Sequence, residues 1–150
     1  MTIPAPVAHA VQTIQEWLKD LRVTGELADE AAAYAVLRSV LHQLRDRLTV
    51  EEAVDLGAQM PLIVRGLYFE GWRPHGAPRK VRSKEKFLNE LAEDLLPHTY
   101  PVEWAVGSVF SLLARHCDPG EIADVIDQLP ADLKDLWPEA ARARRGKRPG

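Results

Sequence analysis

The chain repeats itself at a distance of 69 residues, and that constrains its fold more than any other feature. In this register Ser39 falls on Ser108, Val40 on Val109 and Leu44 on Leu113. Glu52 falls on Glu121, Asp55 on Asp124, Gln59 on Gln128, Pro61 on Pro130 and Leu67 on Leu136. Tyr68 then meets Trp137, one aromatic for another. With one residue of slack "EWLKDL" (16–21) aligns with "KFLNEL" (86–91), which sets Trp17 opposite Phe87. Self-similarity of this kind marks a structural unit used twice, here of about 70 residues. The expected organisation is a helical repeat over 10–75, a basic linker over 76–84, a second helical repeat over 85–140 and a disordered basic tail over 141–150.

Each copy reads as helices. Val7, Val11, Ile14, Trp17, Leu18 and Leu21 recur at steps of three and four and form one apolar stripe. Tyr34, Leu37, Val40, Leu41, Leu44 and Leu48 repeat the pattern on a helix expected from about Ala28 to Arg47. In the second copy the stripes are Phe87, Leu88, Leu91 and Leu95, then Trp104, Val106, Val109, Phe110 and Leu113. No segment alternates with period two for long, so the fold class is all-α: three longer helices and one short helix per copy, packed as a single helical bundle.

Two helices carry their own start signals. "TVEE" (49–52) and "DPGE" (118–121) are capping boxes, in which Thr49 or Asp118 accepts from the N3 amide and Glu52 or Glu121 reaches back. Pro119 stands at N1, where its missing N–H costs nothing. Pro61 and Pro130 follow, each able to open a short helix, over 62–68 and 131–137. Gly71 and Pro74 then read as a helix stop.

Composition narrows the class. With 46% apolar and 27% charged residues the chain reads as a globular domain, and its apolar runs are far short of a membrane span. The N-terminus lacks the basic and apolar regions of an export signal, and the single Cys117 fits a reducing compartment, so a cytoplasmic protein without membrane attachment is expected. Net charge is −3 but unevenly placed: "RKVRSKEK" (79–86) and "RARRGKRPG" (142–150) are cationic and flank an acidic half. Their expected role is as solvated segments that partly neutralise it, and the acidic balance argues against nucleic acid as partner.

Chemistry is sparse in the sequence. Glu52 with Asp55 and Glu121 with Asp124 place two carboxylate pairs at i, i+3 on helical faces, where a metal held between helices is imaginable. Such sites need Glu-x-x-His motifs that this chain lacks, and capping already accounts for Glu52 and Glu121. The histidines are scattered, and Cys117, in register with Leu48, reads as a small core residue. Gln59 and Gln128 each precede a helix-ending proline by two and read as bonding backbone groups freed there. No phosphate loop, nucleophile elbow or C-x-x-C motif is present, and no cofactor or metal is expected.

The stretches "VLRSVLHQLRDRLTVEEAVDLGAQMPLIVRGLYFEGWRP", "KEKFLNEL" and "GEIADVIDQLPADLKDLWP" together resemble a bacterial family, domain of unknown function 2267, over about residues 10–138. The resemblance implies a small helical bacterial protein with an internal repeat, and it brings no activity, cofactor or catalytic residue. Its recurrent positions here are Arg45, Arg47, Leu48, Glu52, Ala53, Gln59, Pro61, Tyr68, Gly71 and Trp72. The expected function is a non-enzymatic interaction or scaffold module, with a second copy or another protein as partner. The alternative is a small-ligand binder with a pocket between the repeats, walled by Arg45, Arg47, Arg65, Tyr68 and Trp72. The first place to look is Trp72, in the part of "MPLIVRGLYFEGWRP" that the second copy does not match.

Overall fold

A computed structural model describes residues 2–75 and 83–143, and every regular element among them is a helix. α1 spans Ala5–Thr24, α2 Glu30–Arg45, α3 Val50–Ala58 and α4 Leu62–Phe69. After the stretch 76–82, which is most of the predicted linker 76–84 and lies outside the described residues, come α5 Lys84–Asp94, α6 Val102–His116, α7 Pro119–Asp127, α8 Ala131–Lys134 and α9 Glu139–Ala143.

Local chemistry sets most of the starts. Asp29 accepts from the Ala32 amide at 2.8 Å, so α2 begins at Glu30 rather than at the expected Ala28. Thr49 Oγ1 accepts from Glu52 N at 3.2 Å, and Asp118 Oδ2 from Glu121 N at 3.0 Å. Ser83 caps α5 through Lys86 N, a start that lies inside the predicted linker. α4 and α8 follow directly on Pro61 and Pro130.

The long helices α2 and α6 lie at the centre, and each buries most of one side. α1 packs across both, and α5 does the same; α3 faces α7, while α4 packs on α1, α2 and α3. Trp17, Tyr68, Phe87, Phe110 and Trp137 fill the core, with Phe110 and Trp137 stacked at 4.1 Å. Burying each contributes on the order of 1.5–3 kcal/mol.

Three expectations are corrected. Tyr34 and Trp104 were placed on buried stripes, yet they are 43% and 53% exposed, because each stands beyond the edge of its helix's buried arc. Val7 and Val11 are likewise exposed, because α1 begins before the core that it packs on. The described residues also hold a ninth helix: α9 runs to Ala143, into the stretch assigned to the tail, since Ala141 packs on the core and Arg142 Nε donates to the Trp137 carbonyl at 3.0 Å. Residues 144–150 of that tail lie outside the described residues.

Candidate functional site: a groove along α6

The exposed side of α6 acquires its shape from what α2 does with the positions 69 residues earlier. On α2, long polar side chains reach the end of α4. Arg38 pairs with Glu70, and His42 Nε2 lies 2.7 Å from the Leu67 carbonyl. Arg45 donates to the carbonyls of Tyr68 and Glu70, both at 2.8 Å, and to Asp46 at 2.9 Å. These bonds satisfy carbonyls that the end of a helix leaves open.

At the matching positions α6 carries Gly107, Ser111 and Ala114 in place of Arg38, His42 and Arg45. None of these three is long enough to reach across, and a groove remains. One part is a cavity of about 750 Å³ lined by Ser111, Ala114 and Arg115 of α6, Pro119 and Ile122 of α7, and Pro138, Ala140, Ala141 and Ala143. A second cavity of about 410 Å³ continues it past Gly107 and Ser108 to Trp104, with Thr24 and Leu136 at its edges. The two share Ser111, Arg115 and Pro138, so they form one trough along the helix. Trp104 closes one end, its indole donating to the Gly25 carbonyl at 3.0 Å.

The trough is nearly free of uncompensated charge. Arg115 holds Asp20 through two bonds, at 2.7 and 3.3 Å, and His116 Nε2 lies 2.9 Å from the same carboxylate. Burial raises the Asp20 carboxyl, but the hydrogen bonds from His116 and Arg115 outweigh it and hold the group below its ordinary value. Behind the groove Cys117 is buried, and burial pushes its thiol up to about 12, which keeps it a protonated core residue.

The five residues proposed from sequence as pocket walls lie elsewhere and are not brought into one cavity. Tyr68 is fully buried and its hydroxyl donates to the Ala53 carbonyl at 2.8 Å. Arg45 and Arg47 are buried, and Arg47 bonds Gln43, pairs with Glu90 and lies 4.9 Å over the Phe87 ring. Arg65 donates to the carbonyls of Gly57 and Met60 at the end of α3, and Trp72 packs beside Phe69. Three of the five are thus interior braces rather than surface. What sequence reasoning missed is the loss of side-chain length at 107, 111 and 114, which the register does expose.

The carboxylates do converge between α3 and α7. Ligand atoms of Glu52, Glu121 and Asp124 lie within 4.8 Å of one another, Glu52 being buried. Gln128 spans the two helices: its Oε1 accepts from Thr49 N at 3.3 Å and its Nε2 lies 3.4 Å from Glu52 Oε2. The backbone group that Gln128 bonds therefore belongs to the partner helix. Of the cationic segments, Lys84 pairs with Glu103 and Arg142 with Asp135. Among the described residues no helix is long and apolar enough to cross a membrane.

The family model described as "Uncharacterized conserved protein (DUF2267)" matches residues 14–136. No curated protein sequence matches the chain.

Proposed function

The chain belongs to the DUF2267 family, and from that premise we propose that it is a non-enzymatic interaction module whose trough along α6 receives an apolar helix of a protein partner. The observation that carries this reading is the replacement of Arg38, His42 and Arg45 by Gly107, Ser111 and Ala114, which leaves open on one helix a face that is closed on the other. The lining supplies short side chains, serine hydroxyls and a guanidinium engaged by Asp20. That chemistry suits holding a ligand by shape, as in helix-in-groove recognition.

The same proposal takes the scaffold as two copies of one unit related by a pseudo-twofold. Its support is the pattern of packing: exchanging α1 with α5 and α2 with α6 turns each contact among these four helices into another that is present, and α3 faces its counterpart α7. A cytoplasmic setting fits the single, buried cysteine.

Photo-crosslinking tests the reading. A benzophenone side chain placed at Ser111 is expected to form adducts with an apolar helical segment of protein, identified by mass spectrometry, and the adducts should vanish when Ala114→Arg is added. Adducts that persist with the groove filled, or adducts spread over charged and irregular segments, would overturn it. A second reading, a small apolar ligand, is favoured by the cavity of about 750 Å³, which is within the usual range for such sites. A thermal shift of several degrees with an apolar metabolite, abolished by Ala114→Arg, would select it.

A further inference from the structure

The N-terminal half of α1 is an unpartnered apolar helix. Residues 2–15 contain no Asp, Glu, Lys or Arg, although 27% of the chain is charged, and eleven of those fourteen residues are exposed. Val7 and Val11 are 47% and 43% exposed, and Ile3, just before the helix, is 58% exposed. Side chains seven apart lie on nearly the same line of a helix. Val7 and Val11 each stand seven residues before a side chain held by the core, Ile14 and Leu18. The stripe that packs the second half of α1 thus runs on past the last of the described elements that cover it. Contiguous apolar surface without charge is the signature of an interface centre.

The trough on α6 matches this stripe in chemistry and length. From Trp104 to Arg115 it runs about 16 Å along the helix, and the largely exposed stretch from Ala5 to Gln12 spans about 10 Å, at about 1.5 Å per residue, so it fits within the trough. Gly107, Ser111 and Ala114 keep the floor low enough for a helix to approach closely. Neither surface would bury an unmatched charge: the stripe has none, Arg115 is bonded to Asp20, and Glu103, the other charged residue of the lining, pairs with Lys84. One molecule cannot satisfy itself. Thr24 lines the trough at one end of α1, and Val7 lies about 25 Å away toward the other end.

Resting on the proposed role of the trough, we infer that the N-terminal half of α1 of one copy docks into the α6 groove of a second copy, giving head-to-tail self-association. Such a contact is heterologous: an open assembly of any size keeps one free groove at one end and one free stripe at the other, and growth continues until a ring closes.

Light scattering of the full chain across a concentration series is the test. The expected result is growth in mass beyond a dimer, or a closed ring. Val7→Glu and Ala114→Arg should each weaken assembly by about tenfold or more, because each buries a charge without a partner. Ala140→Arg, at an exposed position of the groove wall, replaces Ala114→Arg should that variant fail to fold. An equimolar mixture of the Val7→Glu and groove variants should form dimers and nothing larger, since one sound stripe and one sound groove remain. A wild-type chain that stays monomeric, or a dimer broken by Val7→Glu and untouched by the groove variants, would overturn the inference. Crosslinking from Ser111 to some other protein, unchanged by Val7→Glu, would remove the self-association and leave the interaction module standing.

Discussion

α2 and α6 share the centre of the molecule and a sequence register, yet one has its outer face closed by its own chain and the other does not. Two differences bring this about. The side chains that close α2 are long and polar, and the end of α4 offers them carbonyls at the right distance. On α6 the same positions are short, and the chain that would close them turns away: α8 ends at Lys134, and from Pro138, in register with Phe69, α9 runs onto α7. Whether a helix face becomes core or binding surface is therefore decided by a few side-chain lengths and by the exit direction of the next segment.

The comparison can be broken most forcefully at Arg45. Arg45→Met leaves two carbonyls and Asp46 without their donor and should lower stability by about 3–5 kcal/mol in urea denaturation. Ala114→Arg, the mirror change on the open face, should stay within about 1 kcal/mol of wild type. Gly57 comes next. A Cβ there would stand 2.4 Å from the Phe69 ring, so Gly57→Ala should cost on the order of 1–3 kcal/mol, and Phe69→Ala should relieve part of that strain in the double variant. Tyr68→Phe removes one buried bond, to Ala53, and should cost about 1 kcal/mol. Its counterpart Trp137 has a buried indole N–H that finds no hydrogen-bond partner among the described residues, so no comparable loss is expected there.

The smallest effect is a pH dependence at the closed face. Burial lowers the His42 pKa from its ordinary 6.5, the bond to the Leu67 carbonyl opposes the shift, and the charges of Arg45 and Arg38 lower it further. A folded pKa below the unfolded one means that the unfolded chain binds the proton first. The stability from neutral His42 is complete above about pH 6.5 and is lost as pH falls through the lowered value. His42→Gln, which keeps a donor for Leu67, should flatten the denaturation midpoint between about pH 7 and 5. An unchanged pH profile would remove His42 from the closure.

What was readable in the sequence was local. Thr49, Asp118 and the two prolines announce helix starts because caps act within one turn, and the heptad-like recurrence of leucines fixes which faces are buried. The site was harder to read for a physical reason. Arg45, Arg47, Tyr68 and Trp72 look like a ligand wall in a linear chain, because arginines and aromatics recognise ligands and brace helix ends by the same bonds. Only the placement of α4 shows that the partners of Arg45 and Tyr68 are carbonyls of the chain itself. The groove has the opposite problem. It is made by absent side-chain atoms, and Gly107, Ser111 and Ala114 attract notice only when read against the residues 69 positions earlier.

Gly57 and Phe69 also limit how this sequence can be recombined. In the 69-residue register their counterparts are Ile126 and Pro138, a branched side chain and a small ring in place of a bare backbone and a large ring. The first pair fits only because position 57 carries no side chain. A crossover between the halves that brought the isoleucine to position 57 and kept Phe69 would yield an overlap. Exchange of segments between the two halves is viable only in blocks that carry both members of a pair.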